Sequence, residues 1–553
     1  MADNNNNEIP TKNDNNQNNN KNEITTSTSS PPSSAMQTNT TTQQQQQRQQ
    51  QHHHQNTQNT NENREILTKL SPKVLHAYEQ LARERANIAS PYELTAKPIS
   101  GVGENCYGLI MQVCVRAKHA VNNNESSGNS AECVTAETDV DAKPMHEFIT
   151  ILKMSPKNPA FRDHSHISEL YQREVFLYER VFREYQTLYA EQKQQSGENQ
   201  QFQFDIVPEI FYTCLDPMDE FFICEDLSLS GHRQNVRTQM PTIDLASATF
   251  RAIAKFHAMS FALQSKKPEI FKELISNYQD NLFNENIDPI TIEFARKYLR
   301  KTRVMLEQDG RVTAVKQIEA LKKLEEHFKI VSMQCVNGPQ AAPYAVICHG
   351  DYWNNNMLYK YDDHTQEAVS AKLIDFQLSR YSSPVVDLMH YLCTSTDRDL
   401  RKQHFKELLD IYYQTLREHL EYYQLDVGVV YPREIFLQHL KEIGIFGLCM
   451  AAFSIPFFIS NSNELPDMDE VATAIRDISS SSENSDEDEV GGGDQEMNDI
   501  DKTTAKAADA KRKELLDEYD LLTERTLPIF KRRMFGLLKD LEEYGMLECV
   551  LKL

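Results

Sequence analysis

The run Cys348-His349-Gly350-Asp351-Tyr352-Trp353-Asn354-Asn355-Asn356, followed by Lys372-Leu373-Ile374-Asp375-Phe376-Gln377, decides the reading of this chain. It sets out the polar groups that phosphoryl transfer needs: a carboxylate to accept a hydroxyl proton, an asparagine five residues later, and a second aspartate behind a short apolar strand. Mg²⁺ is a hard ion that keeps several waters, so one amide and one carboxylate beside phosphate oxygens complete its shell. Asn356 and Asp375 are therefore the expected metal ligands, and Asp351 the expected base. Gly350 lets the loop turn sharply.

The H-G-D-x-x-x-x-N pattern differs from the H-R-D-L-x-x-x-N of protein kinases, and Gln377 stands where their D-F-G has glycine. It resembles the aminoglycoside and choline kinase branch of the protein-kinase-like fold. Within that branch, C-H-G-D-x-W-x-N-N and I-D-F-Q are similar to the insect ecdysteroid kinase-like family, also called CHK kinase-like.

Such a site also needs a phosphate-covering loop and a cation. Gly101-Val102-Gly103-Glu104-Asn105-Cys106-Tyr107-Gly108 precedes the β-like run Leu109 to Val115, so Gly101 and Gly103 are expected to shape a turn whose N–H groups approach phosphates. Phe148-Ile149-Thr150-Ile151-Leu152-Lys153 reads as the next strand of that hairpin, ending in a lysine that can reach the α and β phosphates. Tyr171 to Phe182 has apolar residues at helical spacing, and the resemblance makes Glu174 the partner of Lys153. The same resemblance makes Phe221 to Leu227 the lobe-connecting segment, with main-chain groups at Glu225 and Leu227 for an adenine edge. His257 is expected to be a helix-packing residue, with no partner identifiable, and Asp387 resembles an aspartate that anchors the catalytic loop.

At 553 residues the chain has room for two lobes, and a net charge of −23 argues against binding nucleic acid or anionic membranes. Ten cysteines without a C-x-x-C pair suit a reducing compartment, and the polar N terminus lacks a signal peptide pattern, so a cytoplasmic location is expected. The uncharged stretch Ile443 to Ser460 is barely membrane length, carries Pro456, and reads as a buried helix.

Residues 1–63, rich in Asn, Gln, Thr and Ser, read as a disordered arm, and the three histidines at 52–54 as low-complexity sequence. Residues 64–94 read as a helical extension packed on the domain edge, 95–226 as a small β-rich lobe with an exposed insertion at 122–143, and 227–553 as a helical lobe. An acidic insertion at 479–501 interrupts that second lobe.

The expected fold is thus α+β, a bilobal protein-kinase-like architecture. The resemblance implies an ATP and Mg²⁺ dependent kinase for a small-molecule alcohol such as an ecdysteroid, a xenobiotic or another lipophilic hydroxyl compound. A nucleotide-binding interaction platform without catalysis, and a kinase for another small alcohol such as choline, are the alternatives. Among Tyr412, Tyr413, Tyr422, Tyr423, Phe446, Met450, Phe453 and Phe457, helical spacing assigns most to core and leaves a few for an apolar acceptor cleft.

Overall fold

The chain's hydrophobic pattern resolves into a five-stranded antiparallel sheet followed by a helical mass. The computed structural model describes residues 66–99, 107–117, 146–197, 199–276, 278–310, 314–483 and 510–553. The Asn/Gln-rich arm, Gly101, Gly103, the 122–143 insertion and residues 484–509 of the acidic region lie outside them.

The sheet is built from β1 (Tyr92–Pro98), β2 (Leu109–Ala117), β3 (Glu147–Met154), β4 (Ile210–Cys214) and β5 (Phe221–Glu225), in the order β1-β2-β3-β5-β4. Alternation puts Met111, Val113 and Val115 of β2 on one buried face, as the period of two requires. Helix α1 (Pro72–Glu84) covers that face rather than the domain edge. Ser71 caps it, Pro72 opens it, and Val74, Ala77, Tyr78 and Leu81 recur at helical spacing to meet Met111, Val113 and Leu152. Each large apolar side chain buried there contributes about 1.5–3 kcal/mol, so Val74→Asp would detach the helix. The sheet begins at Tyr92, ahead of the expected boundary at 95.

Between β3 and β4 the chain forms α2 (Pro159–His164), α3 (Ile167–Phe176), a π-helical turn at Leu177–Val181, and α4 (Phe182–Ser196). Beyond β5, a short strand β6 (His232–Arg233) leads to α5 (Ile243–Lys266), which is buried on most sides and packs on later helices. Helices α6 (Pro289–Gln308) and α7 (Val315–Cys335) follow, then β7 (Val346–Cys348), β8 (Met357–Tyr361), β9 (Ala368–Leu373) and β10 (Arg380–Ser382). The remainder is helical: α8 (Val385–Ser395), α9 (Arg398–Tyr422), α10 (Arg433–Ile443), α11 (Phe446–Ile459), α12 (Met468–Glu483), a helical stretch at 510–518, and α13 (Thr526–Glu543). Helix α12 runs into the start of the expected acidic insertion, so residues 479–483 are helical backbone.

This is the expected α+β, two-lobed, protein-kinase-like architecture. The uncharged stretch at 443–460 contains α11, whose Leu448, Cys449, Ala451, Ala452 and Ile455 are buried. No single helix among the described residues is long and apolar enough to cross a membrane; α10 and α11 pass that test only as a pair bent by 53°. The eight described cysteines are all unpaired.

Candidate active site

Strand register brings the separated polar residues together. Lys153 sits in the middle of the sheet, opposite Ile110 of β2 and Phe222 of β5. Its Nζ lies 2.6 Å from Glu174 Oε2, 2.8 Å from Asp375 Oδ1 and 3.4 Å from Gln377 Oε1. Glu174 is only 1% exposed and its second oxygen accepts the Phe376 N–H at 3.3 Å, so one carboxylate ties the α3 helix to both the lysine and the Asp375 segment. Burial alone would lower the Lys153 pKa, but Asp375 and Glu174 overcome it and hold the ammonium charged. Burial pushes the Glu174 carboxyl up to about 7, with Lys153 opposing.

Glycine at 108 is needed for this approach, because a Cβ there would meet the Tyr171 hydroxyl at 2.6 Å and Met154 O at 3.0 Å. A π-helical turn begins at Leu177, three residues beyond Glu174. A second buried ion pair braces the same region. Arg162 donates to Glu220 at 2.6 Å, and Ser155 and Ser168 donate to the same carboxylate at 2.9 and 2.8 Å, clamping the ends of β3 and β5 to α2 and α3.

In the second lobe, the β8–β9 hairpin sets Met357 opposite Leu373. Asn356 therefore lies one residue before one strand and Asp375 just past the end of the other, and the hairpin holds them side by side. The Ile374 N–H donates to Asn356 O at 3.1 Å, closing the junction. Asn356 donates through Nδ2 to Asp351 Oδ2 and to Asp351 O, both at 2.9 Å, which leaves its Oδ1 to face a cation. Asp375 adopts φ +67°, a left-handed conformation that aspartate tolerates better than most residues.

Asp351 follows a tightly tied loop. The Asp387 carboxylate, fully buried, accepts the His349 N–H at 2.7 Å and the Gly350 N–H at 2.9 Å, and its Oδ2 lies 3.1 Å from His257 Nε2. His257 also reaches the Tyr412 hydroxyl at 3.0 Å, so it has two partners where the sequence disclosed none. His257, Asp387 and Cys348 lie close enough to resemble a metal site, but the imidazole and carboxylate are already committed to these hydrogen bonds. His349 donates from Nε2 to Ile374 O at 3.0 Å and accepts the Asp351 N–H on Nδ1 at 3.3 Å, which joins the loop to the Asp375 strand. Burial lowers the His349 pKa, consistent with this neutral tautomer.

Burial, with the Asp375 carboxylate nearby, pushes the Asp351 carboxyl up to about 7, against the hydrogen bond from Asn356. A carboxyl so placed is matched to accept a hydroxyl proton near neutral pH. Asp351, Asn356, Asp375, Lys153 and Glu174 all line one cleft of about 680 Å³. Glu225 and Leu227 line it too, and the Glu225 N–H is engaged by Glu209 O at 2.9 Å.

A profile of the ecdysteroid kinase-like family matches residues 130–425, more than half of the chain. The chain belongs to that family. No curated protein matches it. Among solved structures, a Plasmodium vivax ethanolamine kinase is 12% identical, with 71% of this chain and 85% of that chain covered and a TM-score of 0.32. A microcompartment-associated aminopropanol kinase is 12% identical, covering 69% and 96%, with a TM-score of 0.25. The GDP complex of wild-type aminoglycoside 2'-phosphotransferase-IIIa is 9% identical, covering 80% and 98%, with a TM-score of 0.27. At these scores the likenesses carry no weight, and the assignment rests on the family match and on the fold itself.

The ecdysteroid kinase-like sequence concealed three features of its site. Gln377, noted only as a departure from D-F-G, supplies a third oxygen to Lys153. The Arg162–Glu220 clamp joins residues 58 apart that no motif marks. Trp353 stacks face to face on Phe458, ring centroids 3.7 Å apart at 7°, beside Asp351 in the cleft. The single tryptophan inside H-G-D-x-W was a signal for that last contact, but its partner lies about a hundred residues away.

Proposed function

We propose that this protein transfers the terminal phosphoryl group of ATP to the hydroxyl of a small lipophilic alcohol. The observation that supports it is one cleft with two unlike halves. One carries the five polar residues; the other is apolar and aromatic, lined by Trp353, Phe294, Phe453, Phe457, Phe458 and Met450. Apolar and aromatic linings of this kind suit a lipophilic ligand, with polar groups of the cleft left to orient it.

In this reading main-chain groups of the Glu225 to Leu227 segment meet the adenine edge, and Ile110 and Leu358 also line the cleft. Lys153, pinned by Glu174, neutralises phosphate oxygens. Asn356 and Asp375 offer the hard oxygen donors that Mg²⁺ prefers, and they stand beside each other at the hairpin end. When bound there, the ion would neutralise charge on the transferred phosphate.

Asp351 takes the acceptor's O–H proton while the acceptor oxygen bonds to phosphorus and the bond from phosphorus to the ADP oxygen breaks. The new phosphate ester, ADP and a protonated Asp351 are the products of the step, and Asp351 returns its proton to solvent. Positioning and charge neutralisation supply most of the catalysis, because the transfer itself needs little covalent help.

The test uses purified protein, ATP and Mg²⁺ with a library of alcohols, phosphorylated products being identified by mass. Asp351→Asn should still bind nucleotide and lose about 10²–10⁴-fold in kcat, the range for removal of a general base. Equal turnover by the two proteins refutes the role of Asp351.

A further inference from the structure

The family match stops at residue 425, yet much of the apolar half of the cleft is built after it. A continuous series of contacts leads away from Asp351. Trp353 stacks on Phe458; Phe457, its neighbour on α11, stacks on Phe294 of α6 at 5.3 Å and 26°. One helical turn back along α6, Ile290 packs with Ile475 of α12 and Leu515 of the 510–518 stretch. All of these side chains line the cleft. The series is an apolar track with the base at one end and Ile475 and Leu515 at the other.

That far end is held in place from two directions. Asp520 accepts from Lys301 and from the Tyr298 hydroxyl at 3.3 Å, and lies 3.6 Å from Lys297, which also donates to Leu516 O. On the other flank, Ala472 of α12 is buried against Phe161 and Tyr171 of the first lobe. The wall thus bridges the lobes that enclose the cleft, and its distance from Asp351 is set by the fold rather than by a free loop.

We propose that Ile475 and Leu515 are the residues that set the length of the acceptor alcohol, its hydroxyl at Asp351 and its apolar tail laid along Trp353, Phe458, Phe457 and Phe294 to end against them. The proposal rests on the lipophilic-alcohol reading above. It places acceptor selection in a segment outside the family match, while the phosphoryl-transfer groups lie within it.

The probes are the straight-chain 1-alkanols from butanol to tetradecanol. In the wild-type protein, kcat/KM should rise about fourfold for each added methylene, the worth of burying one CH₂, up to an optimum length and fall beyond it. The Ile475→Ala, Leu515→Ala double variant should move that optimum to longer chains by two or more carbons. If the double variant does not fold, Ile475→Val with Leu515→Val is read the same way with a shift of about one carbon. Calorimetric binding of the same alkanols gives a second readout that needs no turnover. A shifted optimum in binding without phosphorylation supports the wall and refutes the kinase reading. Phosphorylation with an unshifted optimum refutes the wall and leaves the kinase reading standing. Failure of every alkanol to bind, or a uniform loss across the series, also overturns the proposal.

Discussion

Replacing Gly350 by alanine tests how closely the catalytic loop depends on one missing methyl group. Gly350 has φ +88°, and a Cβ built there would lie 1.8 Å from Leu378 O and 2.4 Å from Leu378 C, where real Cβ contacts stay above 3.0 Å. The loop or the 376–380 segment must therefore retreat by more than about 1 Å. The left-handed backbone adds roughly 1–2 kcal/mol for any residue with a side chain. Gly545 separates the two effects: its φ is +72° with nothing within 4 Å of its Cβ position. Gly545→Ala should lose about 1–2 kcal/mol in urea unfolding and keep its kcat. Gly350→Ala should lose more stability and about 10²-fold in kcat, because the displaced backbone carries Asp351 and a misplacement near 1 Å costs on that order. The assay is ADP release with the best alcohol acceptor, alongside affinity for a fluorescent ATP analogue, which should change little. A Gly350→Ala protein as active as Gly545→Ala would refute the claim that close approach at Leu378 positions the base.

Two further substitutions probe the supports of the site. Asp387→Ala removes the acceptor for the His349 and Gly350 N–H groups and for His257; at about 1–3 kcal/mol for each buried group left unpaired, the loss in urea unfolding should be roughly 3 kcal/mol or more, and a loss below 1 kcal/mol would show that the loop finds other partners. Glu220 gives a pH signature. Burial works against its charge, but hydrogen bonds from Arg162, Ser168 and Ser155 overcome it and bring the carboxyl from the usual 4.5 down to about 2. A depressed folded-state pKa gives stability that is present above the ordinary value and lost as pH falls through the depressed one, so acid unfolding of wild type should steepen between about pH 4.5 and pH 2. Glu220→Gln should lack that component, and identical acid profiles for the two proteins would count against the clamp.

The sequence was most legible where function demands fixed residue types at fixed spacing. H-G-D followed by asparagine, and I-D-F at the end of a strand, named Asp351, Asn356 and Asp375, and the structure brings all three to one hairpin end. Short apolar runs disclosed β2 and β3 and put Lys153 near the end of the second, because a buried sheet strand writes itself into the local sequence as such a run. What stayed hidden depends on long-range register. Helical spacing cannot tell an apolar residue facing a core from one facing a cleft, so Tyr412, Tyr423 and Phe446, all fully buried, looked the same as Met450, Phe453 and Phe457, which line the cleft. Likewise α1 was legible as an amphipathic helix, but which surface it would cover was not, since that depends on the sheet's own free face.

The hidden and legible parts divide by chemical demand. Phosphoryl transfer requires a carboxylate, an amide, a second carboxylate and a paired lysine in nearly invariant geometry, so few residues can serve and the pattern survives in one dimension. An apolar wall demands only volume and shape, and leucine, isoleucine, methionine and phenylalanine substitute for one another at little cost. A wall therefore carries no motif, even when it decides which alcohol enters. Helix α12 and the 510–518 stretch illustrate this: they flank a run that reads as a mere interruption, yet their Ile475 and Leu515 meet Ile290 at the far end of the cleft. If the wall sets acceptor length as proposed, two chains of this fold with the same Lys153, Glu174, Asp351, Asn356 and Asp375 differ in acceptor through changes there alone, and exchanging those side chains shifts the preferred alkanol while nucleotide affinity stays the same.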